Sequence, residues 1–141
     1  MYLLDTDVLS ALRRRDKNIV VAHWAALVAA TDLHISVATI NEIERGIEHQ
    51  KRRDPPHAKS LAIWLDKVIG EFGVRTLPIT VQIARRWAQI SASVGHEDLD
   101  FAIAATALEH GLVVVTRNVR DFIKTGATIY DPFEAKTHSP K

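Results

Sequence analysis

The chain has 141 residues, enough for one domain and short for two. Its composition, 47% hydrophobic and 25% charged, is that of a globular protein with a packed core, and the absence of Cys excludes disulfides, thiolate zinc sites and thiol catalysis. A net charge of +1 excludes a uniformly basic nucleic-acid-binding surface, although cations gather at Arg13-Arg14-Arg15 with Lys17, at Lys51-Arg52-Arg53 and at Arg85-Arg86.

Tyr2-Leu3-Leu4 is a short apolar run and predicts a buried first strand. An acid at position 5, with no basic region leading into a long apolar one, does not fit a secretory signal, and no run is long enough to span a membrane. The expectation is a soluble, cytoplasmic protein. Asp5-Thr6-Asp7 supplies capping side chains for a helix carrying Val8, Leu9, Ala11 and Leu12. A second helix is predicted from Asn18 to Ala30, a strand from Leu33 to Val37, and a helix from Thr39 to Gln50. Lys51 to Pro56 reads as a charged loop. Ala58 to Phe72 is the next helix, and Arg75 to Pro78 is an extended link or short strand. Thr80 caps a helix bearing Val81, Ile83, Trp87 and Ile90. Asp98 to His110 is an alanine-rich helix closed by Gly111. Leu112 to Thr116 is a buried strand, Arg120 to Lys124 a helix start, and Ala127 to Tyr130 a further strand. Residues from about 134 onward are expected to be a flexible tail of a single domain, 1–141.

Strands that alternate with helices and read as continuous apolar runs predict an α/β fold with a central parallel sheet between helical layers. In such sheets ligands bind beyond the carboxyl ends of the strands. Asp5 follows the first strand, and Asn118 and Asp121 follow the Val113–Val115 strand, so both sets belong at one edge. Each acid also has a structural explanation. Asp5 is in place to cap a helix, and Asp98 is as well placed to cap the next-to-last one. Asp121 sits at a helix start. Glu42 projects opposite the apolar stripe of Ile40, Ile43 and Ile47, which suits either solvent or a cleft. Asp100 shares a face with Ile103 and Ala107, so its carboxylate is expected to point inward, with the helix N-terminus favouring its charged form. Carboxylates about 4 Å apart repel by roughly 4 kcal/mol at an effective dielectric near 20. A shared divalent cation removes that penalty, and an all-oxygen ligand set suits Mg²⁺ or Mn²⁺ rather than zinc. The seven His residues show no zinc-protease spacing, and no Gly-rich phosphate loop is present.

Four ordered blocks carry a resemblance over nearly the whole chain: Tyr2 to Ser10, Ile35 to Ile47, Asp100 to Ala107, and Leu112 to Phe122. Together they resemble PIN-domain ribonuclease toxins of the VapC type, the toxin half of type II toxin–antitoxin systems. The resemblance implies a three-layer α/β/α fold and hydrolysis of RNA phosphodiesters by a metal-activated water. It assigns Asp5, Glu42, Asp100 and Asp121 as catalytic acids. Asp5 and Asp100 would bind Mg²⁺ (or Mn²⁺) directly, Glu42 and Asp121 directly or through water, and Thr6, Thr116 and Asn118 would support them. Asp7, Glu97 and Asp98 are further acids within reach of such a site. The implied partners are RNA, a second copy in a homodimer and a VapB-type antitoxin, with operator DNA bound only through that antitoxin. Two alternatives fit parts of the chain. Leu3-Leu4-Asp5-Thr6-Asp7-Val8 also fits a haloacid-dehalogenase-type phosphatase with Asp5 as nucleophile, and the fold could serve a non-catalytic binding module.

Overall fold

The apolar runs near each end of the chain become neighbours in the middle of one sheet. In the computed structural model, which describes residues 1–140, β1 (Tyr2–Leu4) is flanked by β2 (Leu33–Ser36) and β4 (Val113–Val115). The full order is β3-β2-β1-β4-β5-β6, with β3 at Thr76–Leu77, β5 at Ile129–Asp131 and β6 at Lys136–His138. The first five strands are parallel, and β6 runs antiparallel to β5.

Alternation along the strands divides the core in two. Leu3 of β1, Val114 of β4 and Ile129 of β5 face one side. There they meet α5 (Val81–Val94), α6 (Leu99–His110) and α7 (Val119–Ile123) through Ile83, Phe101, Ile103 and Phe122. Leu4 and Val115, one residue on in each strand, face the other side. That side is covered by α1 (Thr6–Arg13), α2 (Ile19–Leu27), α3 (Val37–Arg53) and α4 (Pro55–Phe72) through Val8, Val21, Ile47 and Leu65. The result is the expected three-layer α/β/α arrangement. No helix among the described residues is long and apolar enough to cross a membrane.

Three elements differ from the sequence expectation. Lys51 to Pro56 is not a loop: α3 runs on to Arg53, and α4 begins at Pro55. The three cations at the end of α3 suit the negative end of its dipole, and proline is tolerated in a first helical turn, where its missing N–H has no partner to lose. Asp54 alone makes the joint, its Oδ1 accepting a hydrogen bond from the His57 N–H at 3.2 Å. The helix predicted to reach Ala30 stops at Leu27, and Ala30–Asp32 forms a short 3₁₀ turn instead. The segment after residue 134 supplies β6, paired through Ile129–His138 and Asp131–Lys136. Charge and exposure hide that strand from periodicity, because an edge strand buries little.

Asp54→Ala should lower stability by about 1 kcal/mol through loss of the cap, without affecting the chemistry of the sheet edge. Urea unfolding of the two proteins measures it.

Candidate metal centre

The strand order reverses between β1 and β4, since β2 and β3 lie on one side of β1 and β4, β5 and β6 on the other. This is the switch point at which parallel sheets open a crevice beyond their carboxyl ends. Asp5 leaves β1 there, and Thr116 leaves β4 beside it. The Asp5 N–H donates to the Val115 carbonyl at 2.9 Å, which extends the ladder by one bond. Asp5 Oδ1 accepts from the Thr6 N–H at 2.8 Å, capping α1, and Oδ2 accepts from Thr116 Oγ1 at 2.8 Å. The capping and site readings of Asp5 are therefore both satisfied, one by each oxygen.

Two helices bring the other acids. Ser36 caps α3, its Oγ accepting from the Ala38 N–H at 3.0 Å, and Glu42 lies on the second turn. The half-buried Glu42 lines the cleft rather than facing bulk solvent. Asp98 caps α6 by accepting from the Asp100 N–H at 2.9 Å, and the Trp87 indole N–H braces that start through the Asp98 carbonyl at 3.2 Å. One carboxylate oxygen from each of Asp5, Glu42 and Asp100 lies within 4.8 Å of the others.

Asp121 stands one step outside this trio. Its Oδ2 accepts from the Asn118 amide at 3.0 Å, and the same amide reaches Asp100 Oδ2 at 3.5 Å. Asn118 is itself held by its N–H donating to Thr116 Oγ1 at 2.9 Å. Thr116 thus bonds both Asp5 and the loop that carries Asn118. Of the extra acids, Asp98 lies near enough to act electrostatically on Asp100 and Glu42, and Glu97 is exposed and outside the trio. Asp7 is turned to the loop after β4, where its Oδ2 accepts from the Arg117 N–H at 3.1 Å.

The electrostatics follow from crowding and burial. Burial, then the charges of Asp7 and Asp100, push Asp5 up to about 8 against its hydrogen bonds from Thr116 and Thr6. Burial, then the charges of Asp98, Glu42, Asp121 and Asp7, push Asp100 up to about 7. The N-terminus of α6 does not keep Asp100 in its ordinary range, so desolvation and like charge outweigh the dipole. Burial raises Glu42 against the opposing Arg45 cation, and burial raises Asp7. Glu42 Oε1, Thr6 Oγ1 and Asp7 Oδ1 are buried and have no hydrogen-bond partner. A crowded set of oxygen donors, with a buried carboxylate oxygen left unpaired inside it, fits a hard divalent cation.

The PIN domain family matches residues 2–127. The chain belongs to that family. Among relatives, the VapC ribonuclease Y4jK of Sinorhizobium fredii is 29% identical over 95% of this chain and 99% of its own length. The toxin FitB of Neisseria gonorrhoeae is 28% identical over 94% of this chain and 99% of its own. The crystal structure of FitAcB from Neisseria gonorrhoeae superposes with a TM-score of 0.81 at 29% identity, covering 94% of this chain and 99% of that one. The acid trio of this PIN domain lies wholly within the matched residues.

The raised carboxyls make metal-free stability depend on pH. Folding lifts Asp5 from its ordinary value to about 8, so the folded state holds that proton more tightly. Its contribution is complete below the unfolded value near 4 and is lost as pH rises toward 8. Metal-free Asp5→Asn should therefore be more stable than the parent by about 1–3 kcal/mol at pH 8, with the advantage vanishing near pH 4. Chemical denaturation in EDTA across that range checks it, and an advantage independent of pH would refute it.

Proposed function

We propose that this PIN domain is a metal-dependent endoribonuclease and the toxin of a type II toxin–antitoxin pair. Mg²⁺ is its ordinary ion and Mn²⁺ a substitute. The observation that carries the reading is the convergence of Asp5, Glu42 and Asp100 from three separate elements onto one crevice, with oxygens within 4.8 Å. The family match and the names of the relatives support the same activity.

Asp5 and Asp100 are the direct ligands in this reading, because both belong to the crowded trio and their raised carboxyls gain most from a cation. A bound Mg²⁺ supplies a water of lowered pKa and neutralises charge that builds on the phosphate. Glu42 offers its unpaired Oε1 as acceptor for a proton from water at the site. The Asn118 amide donates to Asp121 Oδ2 and reaches Asp100 Oδ2, so Asp121 acts at one remove, through Asn118. Thr116 fixes the carboxyl plane of Asp5. The setting of Asp5 argues against the phosphatase alternative. Both oxygens of Asp5 already accept hydrogen bonds and the residue is 5% exposed, a poor setting for a nucleophile that must reach an incoming phosphoryl group.

The antitoxin reading has a feature of its own. A groove of about 700 Å³ opens between α1, α2 and α4, apart from the acid trio. Leu9, Leu12, Trp64 and Phe72 line it, with Arg13, Arg15, Lys67 and Arg75 outnumbering Asp16 and Glu71 among its charged residues. An apolar floor with an excess of cations around it suits an amphipathic segment of net acidic character from a VapB-type partner. In this reading the chain works in the cytoplasm as a homodimer, and operator DNA is bound through the antitoxin.

The purified, antitoxin-free protein should cleave total cellular RNA in Mg²⁺ or Mn²⁺, and EDTA should abolish the cleavage. Asp5→Asn and Asp100→Asn should each lower the rate by about 10³-fold or more, and Asp121→Asn by about 10–100-fold, as for a group behind the ligands. Cleavage that survives EDTA, or no cleavage of any RNA, would overturn the assignment.

A further inference from the structure

Arg117 stands beside the site and forms no ion pair among the described residues. It directly follows Thr116, which bonds Asp5, and its N–H is held by Asp7. Its guanidinium carbon sits 3.6 Å from the centre of the Phe133 ring. Phe133 lies in the turn joining β5 to β6, where its own N–H donates to Asp131 Oδ1 at 2.9 Å. The edge hairpin therefore builds an aromatic support at the rim of the crevice.

That support is of a particular kind. A cation stacked on a ring is fixed by the ring's quadrupole and spends none of its N–H donors. An ion pair with a carboxylate would fix it equally well and consume them. Among the described residues Arg117 makes no ion pair and no side-chain hydrogen bond, although its charge reaches Asp7. The residue is exposed, so its donors face solvent. A guanidinium held at a fixed place with free donors, next to a cluster of acids, is arranged for an anion that arrives from outside. The fork of N–H groups matches the oxygens of a phosphodiester.

We propose that Arg117, stacked on Phe133, binds a backbone phosphate of the nucleic-acid substrate next to the one at the acid trio. The proposal rests on the nuclease reading and adds to it a substrate-binding residue and the hairpin that presents it. It also gives β6 a purpose, since the strand's pairing with β5 closes the turn that carries Phe133.

The test is binding of a fluorescein-labelled, randomised single-stranded oligoribonucleotide, followed by anisotropy at several salt concentrations. Ca²⁺ replaces Mg²⁺, and a gel confirms that the RNA stays intact. Arg117→Ala should weaken binding about 5–30-fold at low salt. It should also reduce the slope of log affinity against log salt by about 0.7, the change expected for one lost single-strand phosphate contact. Phe133→Leu should weaken binding by about 2–5-fold and leave the slope unchanged, because the charge remains while its support is lost. Arg117→Ala binding with the parent's affinity, or with lower affinity and an unchanged slope, overturns the proposal while leaving the nuclease reading intact. Absence of RNA binding by the parent protein, joined to absence of metal-dependent cleavage, overturns both.

Discussion

Thr116 donates a hydrogen bond to Asp5 at the point where β1 and β4 end side by side. This contact joins residues 111 positions apart, and it lies in fully buried surroundings where an unpaired partner would be costly. The rest of the site is arranged around it. Thr116 also takes the Asn118 N–H, and Asn118 reaches Asp121 and Asp100. A single hydroxyl thus relates the first strand of the chain to the loop after the fourth. The parallel pairing of β1 with β4 is what makes this possible, because it places both carboxyl ends at the same edge.

The acids that gather at that edge strain the metal-free fold rather than support it. Asp5 and Asp100 are both pushed up by burial first and by their neighbours' charges second. Hydrogen bonds from Thr6 and Thr116 oppose the shift of Asp5 without cancelling it. A chain selected for stability alone would place apolar groups at such positions. Retaining the acids makes sense when the cost is recovered on binding a cation, and the two well-packed cores on either side of the sheet supply the stability that tolerates it.

Much of this was legible before any coordinates. Tyr2-Leu3-Leu4 and Val113-Val114-Val115 announce buried strands by unbroken apolar runs, and the carboxyl-end rule then places Asp5 and Asp121 at one edge. Glu42 was undetermined from the helical wheel. A wheel locates a side chain opposite the apolar stripe, and it does not say whether α6 or solvent lies there. The helix end favours the charged form of Asp100, but burial and the acids Asp98, Glu42, Asp121 and Asp7 outweigh it, and most of those acids come from distant segments that no local pattern reveals. The joint at Asp54 is hidden in the sequence because a charged, proline-containing stretch resembles a loop, whereas two prolines in a first turn start a helix. The stacking of Arg117 on Phe133 carries no local signal at all, since it depends on an edge strand of exposed residues.

The central claim is that the crowded, partly protonated carboxyls form a binding site for a divalent cation. Isothermal titration of the metal-free protein with Mn²⁺ at pH 7, in buffers of differing ionisation enthalpy, tests it most directly. With Asp5 near 8 and Asp100 near 7, binding should release about one to one and a half protons. Asp5→Asn should remove most of both the binding and the release. Binding with no proton release, or binding unchanged in Asp5→Asn, would contradict the account.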